Sequence, residues 1–132
     1  WYGFDGQDYR VYTSLRDDSG SWDSPTALSL PGNHAKSPRI SIGDNGEIVI
    51  LWGRRDPLAG HVIEFAYLDI DSGKWSNPEV LSALQKSSIW GDITFDGDGV
   101  YTVMWIEIQE KQKDWDPDIF RLVVRSGKSS IN

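Results

Sequence analysis

The side chains that could do chemistry here fall into three groups: histidines, closely spaced carboxylates and tryptophans. His34 and His61 have no serine or cysteine placed to form a nucleophile and base pair. The 132 residues contain no cysteine, which removes thiolate nucleophiles, thiolate metal sites and disulfides. Twenty Asp and Glu offer many pairings for carboxylate-assisted hydrolysis, and that abundance singles out none of them. Alternating carboxylates occur at Asp69-Ile-Asp71, Asp96-Gly-Asp98 and Asp114-Trp-Asp116-Pro-Asp118. Such spacing could chelate a hard cation, but no run has the full calcium-loop pattern with its distal glutamate. Asp and Gly as turn formers explain the first two runs, so no metal or other cofactor is expected.

The tryptophans are more informative, because most of them recur. Trp22-Asp-Ser-Pro25-Thr-Ala-Leu28-Ser29 returns as Trp75-Ser-Asn-Pro78-Glu-Val-Leu81-Ser82, 53 residues later. Residues 9–52 align on 62–105 without a gap, and 11 of the 44 positions are identical, among them Trp, Pro and Gly. Trp52 falls on Trp105, and Trp1 takes the same place in its unit. Trp22, Trp52, Trp75 and Trp105 are therefore expected to pack within or between repeated units. Trp90 and Trp115 break the pattern. Trp90 stands where the first unit has Ser37, and Trp115 lies in an expanded loop.

The elements that must carry these residues read as short strands. Tyr9 to Arg16 and Val62 to Ile70 alternate. Glu47 to Trp52 is nearly all apolar, as a strand covered on both faces should be. Asp18-Ser-Gly20, Asn45-Gly46 and Asp71-Ser-Gly73 supply turns between antiparallel strands. Pro25 and Pro78 cannot donate to a ladder, which sends their strands to an edge. Each unit has four strands, here taken as 38–42, 47–53, 62–70 and 75–82, with 53–61 as a polar loop. A third unit starts and is not completed. The expected fold is all-β: β-propeller blades of four antiparallel strands, about two and a half repeats of roughly 53 residues, forming an incomplete ring. The units run about 1–51, 52–104 and 105–132.

The run W-x-x-P-x-x-L-S, then P-x-I-x-I, then N-G-x-I-x-I-x-W, closing on D-S-G-x-W, resembles the sialidase-like (Asp-box or BNR-type) propeller repeats of bacterial extracellular proteins. The resemblance covers Tyr9 to about Gly127. It departs from the family pattern in leaving one residue, not two, between Gly20 and Trp22 and between Gly73 and Trp75. It implies a secreted or cell-surface location and a protein or a glycan as partner. A sialidase-type site would need clustered arginines, an aspartic acid and a tyrosine activated by glutamate. Of the arginines, Arg54-Arg55 is expected in a loop, and Arg39 lacks the family's Phe-Arg-Ile-Pro surroundings. No catalytic residue is assigned.

A formal charge of −7 argues against nucleic acid, and no apolar run reaches the roughly 18 residues a membrane helix needs. The chain opens on Trp1 in mid-motif, so self-association or the remaining blades of a longer chain are expected to cover its edges. The expected function is a non-enzymatic binding or scaffold segment of a bacterial secreted or surface propeller. The alternative is a carbohydrate-binding or sialidase-related segment. Binding is expected through the residues that break the repeat, namely Trp90, Trp115, Asp114, Asp116 and Asp118, on the face that carries the variable loops.

Overall fold

The computed structural model describes residues 1–96, 100–109 and 119–128, and every regular element among them is a β-strand. A first sheet holds β1 (Tyr2–Phe4), β2 (Tyr9–Thr13) and β3 (Thr26–Ala27). The middle sheet holds β4 (Lys36–Ile42), β5 (Ile48–Asp56) and β6 (Gly60–Asp69), with β7 (Lys74–Trp75) and β8 (Glu79–Val80) both paired to β6. The third holds β9 (Ser87–Phe95), β10 (Val100–Gln109) and β11 (Ile119–Lys128). All pairings are antiparallel, and all but β6–β8 join neighbours along the chain, so each sheet is a meander whose last edge in the middle sheet is split between β7 and β8. No helix of the described residues is long and apolar enough to cross a membrane.

The apolar run of β5 follows from its place between two sheets. Val49 and Leu51 pack with Ile63 and Phe65 of β6 against Ile93, Val103 and Trp105 of the third sheet. Ile50 and Trp52, on the opposite face, pack with Ala66 against Val11 and Leu28 of the first and against Ala35, just before β4. Each junction thus closes over one indole, and both Trp52 and Trp105 are fully buried. Trp52 also donates its Nε1–H to Glu64 Oε2 at 3.0 Å, and Arg54 Nε donates to the other oxygen at 2.5 Å. Arg54 reaches Asp56 at 3.0 Å as well. Burial opposes the Arg54 charge, but hydrogen bonds and attraction from Glu64 and Asp56 outweigh it and raise its pKa.

The Pro-bearing edges are broken rather than continuous. Asn77-Pro78 separates β7 from β8, and the ladder is patched by side chains. Ser76 Oγ accepts from Tyr67 N at 3.1 Å, and Ser82 Oγ accepts from Ile63 N at 3.0 Å. The first sheet uses the same device, with Asp23 Oδ1 on Leu15 N at 2.7 Å and Ser29 Oγ on Val11 N at 3.0 Å. Hydroxyls and carboxylates thus replace acceptors that a proline-interrupted strand cannot bring into line.

Those bonds correct the sequence register. Ser29 corresponds to Ser82, a step of 53, but Val11 corresponds to Ile63, a step of 52. Leu28 N and Leu81 N, bonded to Val11 O and Ile63 O, repeat the mismatch. The turn after β2, closed by the Arg16–Trp22 bridge, is one residue shorter than the turn closed by Leu68 and Trp75. A gapless alignment therefore places Val11 on Glu64 and reverses the faces of β2.

Trp22 is a second correction. It was expected to pack, yet it is 67% exposed, with the Arg16 guanidinium 6.0 Å from its ring centre. Trp75 lies partly buried against the cluster that the first sheet contributes to. Among the described residues, no sheet covers the corresponding face of the first sheet, so Trp22 has nothing to pack on. Residues 53–61 are a third correction: Arg54 and Arg55 belong to β5, and only 57–59 form the turn to β6. The β5–β6 ladder runs on to Asp56–Gly60 because alternation continues past Trp52 in polar residues.

Candidate functional site

At the end of the sheets where β5 turns into β6 lies an open cleft of about 880 Å³, lined by residues of all three sheets. Its position follows from two glycines with opposite duties. At Gly91 a methyl group would come within 2.9 Å of Leu51 Cδ1 and 3.3 Å of Ile63, so the third sheet touches the middle one there. At Gly53 a methyl group would meet nothing within 4 Å, so the sheets have parted.

The middle sheet brings three cations to the opening: Lys36 and Arg39 from β4, and Arg55 from β5. Arg55 lies two residues beyond Gly53 and four beyond Leu51, hence on the face towards β9. Arg39 pairs with Leu51 across the ladder, and His61 pairs with Arg55, which puts both on the same face. Lys36 reaches the other way, with its ammonium 3.7 Å from the Tyr9 ring centre on β2. That cation–π contact fixes a side chain which otherwise wanders freely in solvent. Among the described residues no carboxylate comes within ion-pair distance of Lys36, Arg39 or Arg55, whereas Arg54, one residue away, is doubly paired. His34, also lining the cleft, sits 3.5 Å from Asp8. Asp92 is the carboxylate among the described lining residues.

Trp90 forms the wall opposite. It lies within β9, not in the loop before it, at a bulge where pairing to β10 shifts between Ile89–Ile106 and Asp92–Met104. Its φ is +54°, a left-handed value that is uncommon for any residue with a β-carbon. Ser37, at the same place in β4, has φ +55° beside a matching register shift. The bulge thus belongs to the fold, while the indole on it does not. Bulges commonly re-aim a side chain at a sheet rim, and Trp90 is left 74% exposed.

No protein-family profile matches the chain, and no curated protein matches it. Among solved structures the chain is similar to the "Hadza microbial sialidase Hz136", with a TM-score of 0.64 over 95% of this chain at 15% identity. At that identity the likeness shows a sialidase-like fold. The chain spans 30% of the length of that structure.

Of the residues expected to bind, Trp90 lines the cleft; Trp115, Asp114, Asp116 and Asp118 lie outside the described residues. Asp69 Oδ1 accepts from Ser72 N at 3.1 Å, and that bond lowers its pKa, so its carboxylate is employed in the turn. Arg39 and Arg55 were set aside on sequence, Arg55 as a loop residue and Arg39 for its surroundings, and Lys36 was missed, although a signal existed. Lys36, Arg39 and Arg55 correspond, 53 residues on, to Ile89, Asp92 and Ile108, so they too break the repeat.

Proposed function

We propose that the chain is a segment of a sialidase-like β-propeller, each sheet a blade, whose cleft binds an acidic saccharide through its carboxylate. The observation that carries this reading is the convergence of Lys36, Arg39 and Arg55, without ion-pair partners among the described residues, on one cleft of an acidic chain. Arginine suits a carboxylate because its planar fork can donate two parallel bonds to the two oxygens. A cleft of about 880 Å³ falls within the range of small-molecule sites. The likeness to a solved sialidase supports an acidic sugar over other anions. The reading is binding: the residues that carry it are cations, which hold an acid rather than cleave its glycosidic bond. It extends to a secreted or surface protein in which further sheets, of a longer chain or of another copy, cover Trp22 on one side and Leu122 and Val124 on the other.

Isothermal titration with N-acetylneuraminic acid, with galactose as the neutral control, tests it. Arg55→Ala and Arg39→Ala should each weaken binding about tenfold or more, since a charged hydrogen bond is worth about 1.5–3 kcal/mol. Raising the salt should weaken it further. Equal affinity for the acid and for galactose, or no effect of either substitution, would reject the reading.

A further inference from the structure

We infer that Trp90 is a stacking platform for a second ring, and that the cleft takes an acidic oligosaccharide rather than a single acidic sugar. The inference rests on the proposed acid-binding role of the cations and adds to it the neighbouring ring.

Three observations carry it. Trp90 is the most exposed tryptophan of the described residues at 74%, so its ring is open to a ligand rather than used in packing. It occupies a left-handed backbone position where a side chain is strained. Glycine would relieve that strain, and the matching bulge shows that Ser37 suffices to build it. Folding therefore gives no reason for an indole there. The ring is also placed apart from the cations: Lys36, Arg39 and Arg55 come from the middle sheet, Trp90 from the third, and the cleft runs between them. A sugar ring has an apolar face of C–H groups and polar edges. A ligand whose carboxylate is held by the middle sheet can lay the apolar face of its next ring on the indole. Trp90 is thus a specificity residue, and it acts on the sugar next to the acid.

The experiment compares N-acetylneuraminic acid, 3′-sialyllactose and lactose by titration calorimetry on the whole chain. The wild type should bind sialyllactose about tenfold more tightly than the free acid, the scale of one aromatic contact, and lactose weakly. Trp90→Gly should remove that tenfold preference and leave the affinity for the free acid unchanged. Its melting temperature should be equal or higher, because glycine adopts positive φ without strain. Trp90→Phe should keep part of the preference. Equal wild-type affinity for the acid and for sialyllactose overturns this inference while the acid-binding reading stands. So does a Trp90→Gly chain that keeps the preference, or one that loses both affinities alike. Failure of both acidic sugars to bind overturns the inference together with the reading beneath it.

Discussion

Replacing Trp52 and Trp22 in parallel measures whether repeated tryptophans do the same work. Trp52 is completely shielded, in a cluster with Ile50 and Ala66 of its own sheet, Ala35 just before β4, and Val11 and Leu28 of the next sheet. A buried indole removes about 150–250 Å² from water, which at about 25 cal/mol per Å² is roughly 4–6 kcal/mol of transfer free energy. Partial collapse of the hole brings the expected cost of Trp52→Ala to about 3–5 kcal/mol. Trp52→Phe refills much of the volume but removes the Nε1–H donor to Glu64. Glu64 keeps Arg54, so the loss should be about 1–3 kcal/mol, the scale of one hydrogen bond to a charged group. Trp22→Ala, on an indole that is two-thirds exposed, should fall within about 0.5 kcal/mol of wild type. Urea unfolding followed by far-ultraviolet circular dichroism, with the slopes compared for constancy, gives all three values. A Trp22→Ala chain destabilised as much as Trp52→Ala would refute the packing described for the first sheet.

Three further outcomes follow from bonds already described. Glu64→Ala strips the partner from Arg54 and from the Trp52 Nε1–H, so it should cost about 3 kcal/mol, with Asp56 limiting the damage; urea midpoints check it. Ser82→Ala leaves Ile63 N without its acceptor in the core, an expected loss of about 1–3 kcal/mol, and amide exchange at Ile63 should quicken alongside. The turn carboxylates of Asp17, held down by Ser19 and Ser21, and of Asp69, held down by Ser72, have lowered pKa values. A lowered folded value means that their contribution is complete above the ordinary carboxylate pKa and is lost as pH falls below it. Melting temperatures should therefore decline from about pH 4 downward, and Asp69→Asn should flatten that decline.

Much of the architecture was readable because turns and strands leave local marks. Asn45-Gly46 and Asp71-Ser-Gly73 placed two hairpins, and the apolar run 48–52 placed a strand covered on both faces. What escaped the sequence has physical reasons. A gapless register sets Leu15 on Leu68 because it rewards identity, yet the bonds of Val11 to Ser29 and of Ile63 to Ser82 make Val11 the counterpart of Ile63, since the turn after β2 is a residue shorter. Turn length is weakly encoded when Asp, Ser and Gly fill both versions. Arg54 and Arg55 read as loop because they are charged. They are strand residues because the ladder continues past the buried core to the rim, where alternating side chains meet solvent.

The same limit explains why half of the candidate site was legible. Trp90 declared itself by replacing a serine in an otherwise preserved unit, and a lone exposed aromatic is conspicuous. Lys36, Arg39 and Arg55 break the repeat too, but a charged residue at a strand end is the ordinary condition of a protein surface and draws no notice. Their meaning depends on three-dimensional facts: the β4 bulge, the opening at Gly53, and the absence of a carboxylate partner among the described residues. Arg54 makes the contrast. It is adjacent to Arg55 in sequence and of the same type, but strand alternation sends it to Glu64 and Asp56, where its charge is consumed by structure. One residue further along, alternation reverses the face and leaves Arg55 at the cleft, without an ion-pair partner among the described residues. A two-residue period thus divides one Arg-Arg pair between folding and the proposed site.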